Sequence, residues 1–140
     1  MNVSPGPEQD PQPRDRGVMA AASSHVGARS VTEIMSHPVL ALTADRLLDE
    51  ALDALVKYRL RHLAVLDRDR RCLGIIADRM IVSAWAHNMS CLHNRRVGEL
   101  LDPEPATVGL RATVTEVAQV MGRLGVDAVA VVGTDGWLAG

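Results

Sequence analysis

Val31-Thr32-Glu33-Ile34-Met35 and Val97-Gly98-Glu99-Leu100-Leu101 open two stretches that overlay at a constant offset of 66 positions (31 on 97). At the same offset Glu50 falls on Glu116, Ala64-Val65-Leu66 on Ala130-Val131-Val132, Asp69 on Asp135 and Gly74 on Gly140. Identities are few, yet apolar positions fall on apolar positions, with only a one-residue shift around the prolines. An internal repeat constrains the fold more than any single motif, because each copy must build a similar supersecondary unit. The chain reads as a tandem of two small α/β units.

Working outward through the first copy, Val39-Leu40-Ala41-Leu42 after Pro38 predicts a short buried strand. Leu47, Leu48, Ala51, Leu52 and Leu55 recur at helical spacing, with Asp49, Glu50, Asp53 and Lys57 on the opposite, solvated face. Leu63-Ala64-Val65-Leu66 predicts a second strand, Asp67-Arg68-Asp69-Arg70-Arg71 a polar turn, and Leu73-Gly74-Ile75-Ile76 a third strand. Met80, Ile81, Ala84 and Trp85 mark a second helix that fades across the polar stretch 87–96.

The second copy repeats this order. Thr107-Val108 forms the strand, and Thr113-Val114-Thr115-Glu116 has capping-box spacing, in which hydroxyl and carboxylate each satisfy an orphan N–H. Val117, Val120, Met121 and Leu124 supply the helical stripe, 128–132 the next strand and Gly133-Thr134-Asp135-Gly136 the turn. The sequence stops at Trp137-Leu138-Ala139-Gly140, so the counterpart of Ile75 to Trp85 is absent. The expected class is α/β (α+β): tandem β-α-β-β-α repeats with pseudo-twofold symmetry, the second lacking its last strand and helix. Its boundaries are a disordered tail over 1–30, a first repeat over 31–88, a linker over 89–96 and a second repeat over 97–140. The missing elements are expected to expose apolar surface on Val129, Val131 and Leu138, and to leave the second repeat less stable than the first.

Composition agrees and excludes several classes. At 140 residues the chain suits one compact domain or two half-domains sharing a core. Apolar residues make up 47% but there is no Phe, so Leu, Val, Ile, Ala and Met must build that core. A net charge of −2 without a basic run gives no support for nucleic-acid binding. No apolar stretch approaches the roughly 20 residues needed to span a bilayer, and no signal-peptide layout opens the chain. Cys72 and Cys91 make no disulfide framework. The expected compartment is the cytoplasm, away from membranes.

Val31-x-x-Ile34-Met35-x-x-Pro38, then Leu47-x-x-Glu50-Ala51-Leu52, then Leu63-Ala64-Val65-Leu66-Asp67 followed by Leu73-Gly74-Ile75-Ile76, resemble a pair of CBS domains (the cystathionine-β-synthase-type repeat), which together form a Bateman module. The resemblance covers residues 31–140. It implies a cleft on each side of the paired sheets, often holding an adenosine-containing ligand such as AMP or ATP. It also implies pairing into disc-shaped homodimers. With no effector domain in this chain, output would pass to a protein partner.

The ligand contacts of such modules carry over only in part. The usual ribose-binding segment reads Gly, two apolar residues, Ser or Thr, two variable residues, then Asp. Here it reads Gly74-Ile75-Ile76-Ala77-Asp78-Arg79-Met80, with Ala77 in place of the hydroxyl and Met80 in place of the carboxylate. Asp78 lies two positions early, about 200° around a helix from Met80, which suits it to capping. Arg61-His62 precede the second strand, where related modules place phosphate contacts. An Arg fork matches phosphate oxygens, and His adds a titratable donor. The plainer alternative is that both solvate a strand edge. The second copy has Asp127-Ala128 there, so an anion site would be one-sided. The candidate ligand contacts are Arg61, His62, Val39 and Asp78.

Other constellations carry less. His87, Cys91 and His93 fall within seven residues, but a structural zinc site wants four ligands and no matching pair completes it. Cys91 with His93 lacks an orienting group and an oxyanion hole. Trp85 and Trp137 are expected in a core or an interface. The sequence therefore reads as a non-enzymatic regulatory module without a resident cofactor or metal, binding an adenosine nucleotide weakly between its repeats. The alternative is a degenerate module that dimerises or scaffolds without ligand.

Overall fold

The structure, a computed structural model, describes residues 27–140. Most of the expected tail lies outside the described residues, and 27–30 are seen docked on the second repeat. The Arg29 carbonyl accepts from Val114 N–H at 2.9 Å, and the Gly27 carbonyl accepts from the Thr115 hydroxyl at 3.0 Å.

The first repeat runs β1 (Ala41–Thr43), α1 (Leu48–Tyr58), β2 (His62–Leu66), β3 (Cys72–Ala77) and α2 (Asp78–His87), followed by a short helix α3 (Cys91–Asn94). The second runs β4 (Thr107–Gly109), α4 (Val114–Leu124) and β5 (Ala130–Val132). In each, the helix crosses over between two parallel strands, with Ala41 opposite Ala64 in one and Thr107 opposite Ala130 in the other. Those pairs are the same positions at the offset of 66. β3 adds antiparallel to β2. In the second repeat residues 137–140 take the place of the start of β3. Val131 N–H donates to Gly140 O at 2.7 Å and Gly140 N–H to Val131 O at 3.2 Å, as Val65 pairs with Gly74.

Helix ends repeat as well. Glu50 accepts from the N–H of Leu47 (3.0 Å) and Glu116 from that of Thr113 (2.7 Å). Only Thr113 completes the box, its Oγ1 accepting from Glu116 N–H at 3.2 Å, since Leu47 has no acceptor. Both crossover helices close on a left-handed residue, Arg59 with φ 54° and Gly125 with φ 65°.

Each repeat finishes its core with a residue from the other. Leu48, Leu55, Leu63, Val65, Ile76 and Ile81 fill the first core, and Cys91 and Val97 close it. Val108, Val117 and Val131 fill the second, and Val31 closes it. The backbone bridges follow the same exchange: Ser30 pairs with Thr113, and Arg96, its equivalent, pairs with Leu47.

Several local expectations change. The linker around 89–96 is not merely polar and solvated, because Cys91 is completely buried and α3 packs on α1 and α2. Met89, Cys91 and Leu92 are too few and too closely spaced among polar neighbours to give a periodic signal. Trp85 and Trp137 are 45% and 52% exposed, so neither is a core residue. Val131 is buried, and Val129 and Leu138 are half-buried, because residues 137–140 lie along β5 and Val31 packs over it. Exposed apolar surface lies elsewhere, at Val56, Val82, Trp85 and Met89. Among the described residues no helix is long and apolar enough to cross a membrane.

Candidate functional site

The repeats leave a cleft on each side of the line where β2 and β5 begin. The wider, a cavity of about 400 Å³, is lined by Val39 and Leu40 ahead of β1, by Arg61 and His62 at the start of β2, and by Val129 and Leu138 of the second repeat. The narrower, about 250 Å³, is lined by Pro105 and Ala106 ahead of β4, by Asp127 and Ala128 ahead of β5, and by Arg79 and Met80 of α2. At the offset of 66, Val39 corresponds to Pro105, Leu40 to Ala106, Arg61 to Asp127 and His62 to Ala128. The two clefts are thus equivalent in construction and different in chemistry.

Charge separates them. Among the described residues the wider cleft is lined by Arg61 and His62 with no carboxylate side chain. The narrower carries Asp102, Glu104 and Asp127 against Arg79 and His62. Glu104 is held by Arg123 at 2.8 Å. Asp127 is held twice, Oδ1 lying 3.0 Å from His62 Nε2 and Oδ2 accepting from Arg79 Nη1 at 2.9 Å. The Arg79 hydrogen bond, then that of His62, draws the Asp127 carboxyl down to about 2. Desolvation opposes this only weakly at an exposed carboxylate.

Of the sequence candidates, Val39, Arg61 and His62 share the wider cleft and Asp78 does not line it. Arg61 reaches outward, its side chain 83% exposed and its Nε 4.0 Å from Asp78 Oδ2. Asp78 is also not the helix cap. Ala77 holds that position, and Asp78 stands one residue inside α2, its carboxylate accepting from Arg79 N–H at 2.7 Å. The Ala77 N–H is taken by the Met80 sulfur at 3.3 Å and the Asp78 N–H by the Arg61 carbonyl at 3.0 Å. Three N–H groups at this helix start thus have partners, and none of them is served by a side chain of the N-cap residue, since Ala77 carries no acceptor.

Sequence reasoning missed Arg79 and Asp127. Arg79 stood at a variable position of the segment after Gly74, and Asp127 looked only like a lost basic residue. Their pairing spans 48 positions, and no local pattern announces it.

The remaining constellations dissolve. His87 Nδ1 donates to the Ser83 carbonyl at 2.8 Å, and His93 Nδ1 lies 3.1 Å from Asp49 Oδ2. Among the described residues no group of three His, Cys, Asp or Glu side chains is placed to hold a metal ion. Burial pushes the Cys72 thiol up, which disfavours the nucleophilic thiolate.

Residues 31–87 match the model of the CBS domain. No curated protein sequence matches the chain. Among solved structures, the CBS domain of a CBS-domain-containing membrane protein from Sphaerobacter thermophilus superposes with a TM-score of 0.75 at 16% identity, covering 92% of this chain and 91% of that one. The CBS domain pair of protein MJ0100, in complex with 5′-methylthioadenosine and S-adenosyl-L-methionine, gives 0.70 at 24% identity over 81% and 87%. CBSX2 in complex with AMP gives 0.66 at 21% identity over 79% and 87%. Likeness at these identities establishes the fold.

Proposed function

We propose, for a chain whose residues 31–87 form a CBS domain and whose two repeats share the fold of CBS-domain pairs, that it is a non-catalytic regulatory module sensing an adenine nucleotide in its wider cleft. The observation that carries this reading is the lining of that cleft: an apolar slot with one guanidinium at its mouth and no opposing carboxylate side chain. Val39 and Leu40 offer a surface for a base, and Arg61 offers a fork of donors for phosphate. Adenosine compounds in two proteins of the same fold support the ligand class. Ala77 and Met80 supply no ribose hook, so affinity is weak, dominated by phosphate, and falls with salt. A ligand between the repeats favours one relative arrangement of them, and a protein partner reads that arrangement. Among the described residues the Cys91–His93 pair does not form a nucleophile–base couple: Cys91 is fully buried and His93 is engaged with Asp49.

Calorimetric titration with AMP, ATP and adenosine, beside an Arg61→Ala variant, tests this. ATP and AMP bind more tightly than adenosine, and the variant loses the difference. Equal binding of adenosine, or a variant that binds normally, places the site elsewhere.

The second reading is a scaffold without ligand, favoured by the same Ala77 and Met80. It rests on self-association through the exposed apolar faces of α1 and α2, at Val56, Val82 and Trp85. A Trp85→Glu variant that elutes at half the mass of the parent chain supports a dimer there. Identical masses exclude that face.

A further inference from the structure

The Asp127 carboxylate sits in the narrower cleft as a bound oxyanion would, with one donor on each oxygen. His62 Nε2 is 3.0 Å from Oδ1 and Arg79 Nη1 is 2.9 Å from Oδ2. Both donors belong to the first repeat, at the start of β2 and in the first turn of α2. The acceptor belongs to the second, between α4 and β5. At the position where the first repeat has the cation Arg61, the second has this anion.

We propose that Asp127 is an internal competitor, occupying the oxyanion position between Arg79 and His62, latching the repeats together, and yielding only to a phosphate group that displaces it. Its carboxyl, drawn down to about 2, is ionised throughout the neutral range, so the position is filled at any physiological pH. Asp102 lines the same cleft and the charge of Glu104 there is met by Arg123, so Asp127 is the carboxylate set directly between the two donors. His62 lines both clefts. A phosphate engaging His62 from the wider side therefore removes one of the two donors from Asp127 and loosens the latch. Occupancy of one cleft is coupled to the hold of one repeat on the other through a single imidazole.

The test titrates inorganic phosphate at neutral pH and low salt into the full chain, into Asp127→Asn, and into Asp127→Asn combined with Arg79→Gln. Losing an ionised competitor that makes two exposed charge-assisted contacts raises phosphate affinity about tenfold, and the double variant returns to the parent value. Arg61→Ala added to Asp127→Asn leaves the gain intact, because Arg61 does not line this cleft. The same Arg61→Ala change abolishes the nucleotide preference proposed for the wider cleft, so the two ideas fail separately. Equal affinity of parent and Asp127→Asn, or a gain that survives Arg79→Gln, overturns the proposal. Should Asp127→Asn fail to fold, the unmodified chain decides. Rising phosphate moves the NMR signals of the His62 ring and the Arg79 side chain together if Asp127 is displaced, and still signals overturn it.

Discussion

Val31 and Val97, equivalent residues of the two repeats, are each buried in the core of the other repeat. Val31 N–H donates to the Ala112 carbonyl and Val97 N–H to the Arg46 carbonyl, both at 2.8 Å. These four residues form two pairs related by the offset of 66, so the exchange is a property of the repeat. Neither repeat completes its core from its own sequence alone. The fold is therefore expected to behave as one cooperative unit rather than two independent domains.

Truncating Val97 to Ala destabilises the chain by about 2 kcal/mol, the transfer and cavity cost of a fully buried side chain losing two methyl groups. Hydrogen exchange shows where the loss falls. Protection drops at Ala51 and Val65 in the first repeat, although Val97 belongs to the second in sequence. A loss confined to β4 and α4 contradicts the exchange.

Arg59 and Gly125 hold the same left-handed cap, and only glycine is free of the steric cost there. Arg59→Gly gains about 0.5 kcal/mol, because relief of that cost is offset in part by the greater entropy of glycine in the unfolded chain. Gly125→Ala loses about 1 kcal/mol, although nothing lies within 4 Å of the added methyl. Urea midpoints measure both. Opposite signs are the expected result.

The Asp127 latch has an acid limit. Its carboxyl titrates at about 2 in the folded chain against an ordinary 3.8, so its stabilisation is complete above about pH 4 and is lost as pH falls through about 2. The stability difference between the parent chain and Asp127→Asn is constant in the neutral range and shrinks to nothing across that window. A difference unchanged at pH 2 shows that the carboxylate is not engaged in solution.

The second repeat has the smaller core. Val31, Val108, Val117 and Val131 form its buried cluster, where the first repeat adds Leu48, Leu63, Ile76 and Ile81 of larger volume. Less apolar area covers its backbone, so amides of α4 and β5 exchange faster than those of α1 and β2 at equal temperature. Uniform protection across both repeats removes this prediction.

The sequence by itself determined the architecture. Element order and the pairing of positions 66 apart follow from apolar periodicity and its repetition, and periodicity is a local property that burial of one face imposes on every strand and helix. Arg61 and His62 became candidates through the resemblance to CBS-domain pairs, which places contacts just ahead of the second strand, and the fold brings them into one cleft with Val39. Tertiary structure alone decided what those residues face. Asp127 reads in sequence as a lost cation and becomes, in the fold, the carboxylate that engages His62 and Arg79. Cys91 reads as part of a polar linker and becomes a core residue. Val31 and Val97 read as the first residues of their own repeats and become the last of each other's cores. Each of these depends on contact between segments far apart in the chain, where Coulomb attraction and excluded water act through space and leave no trace in local spacing.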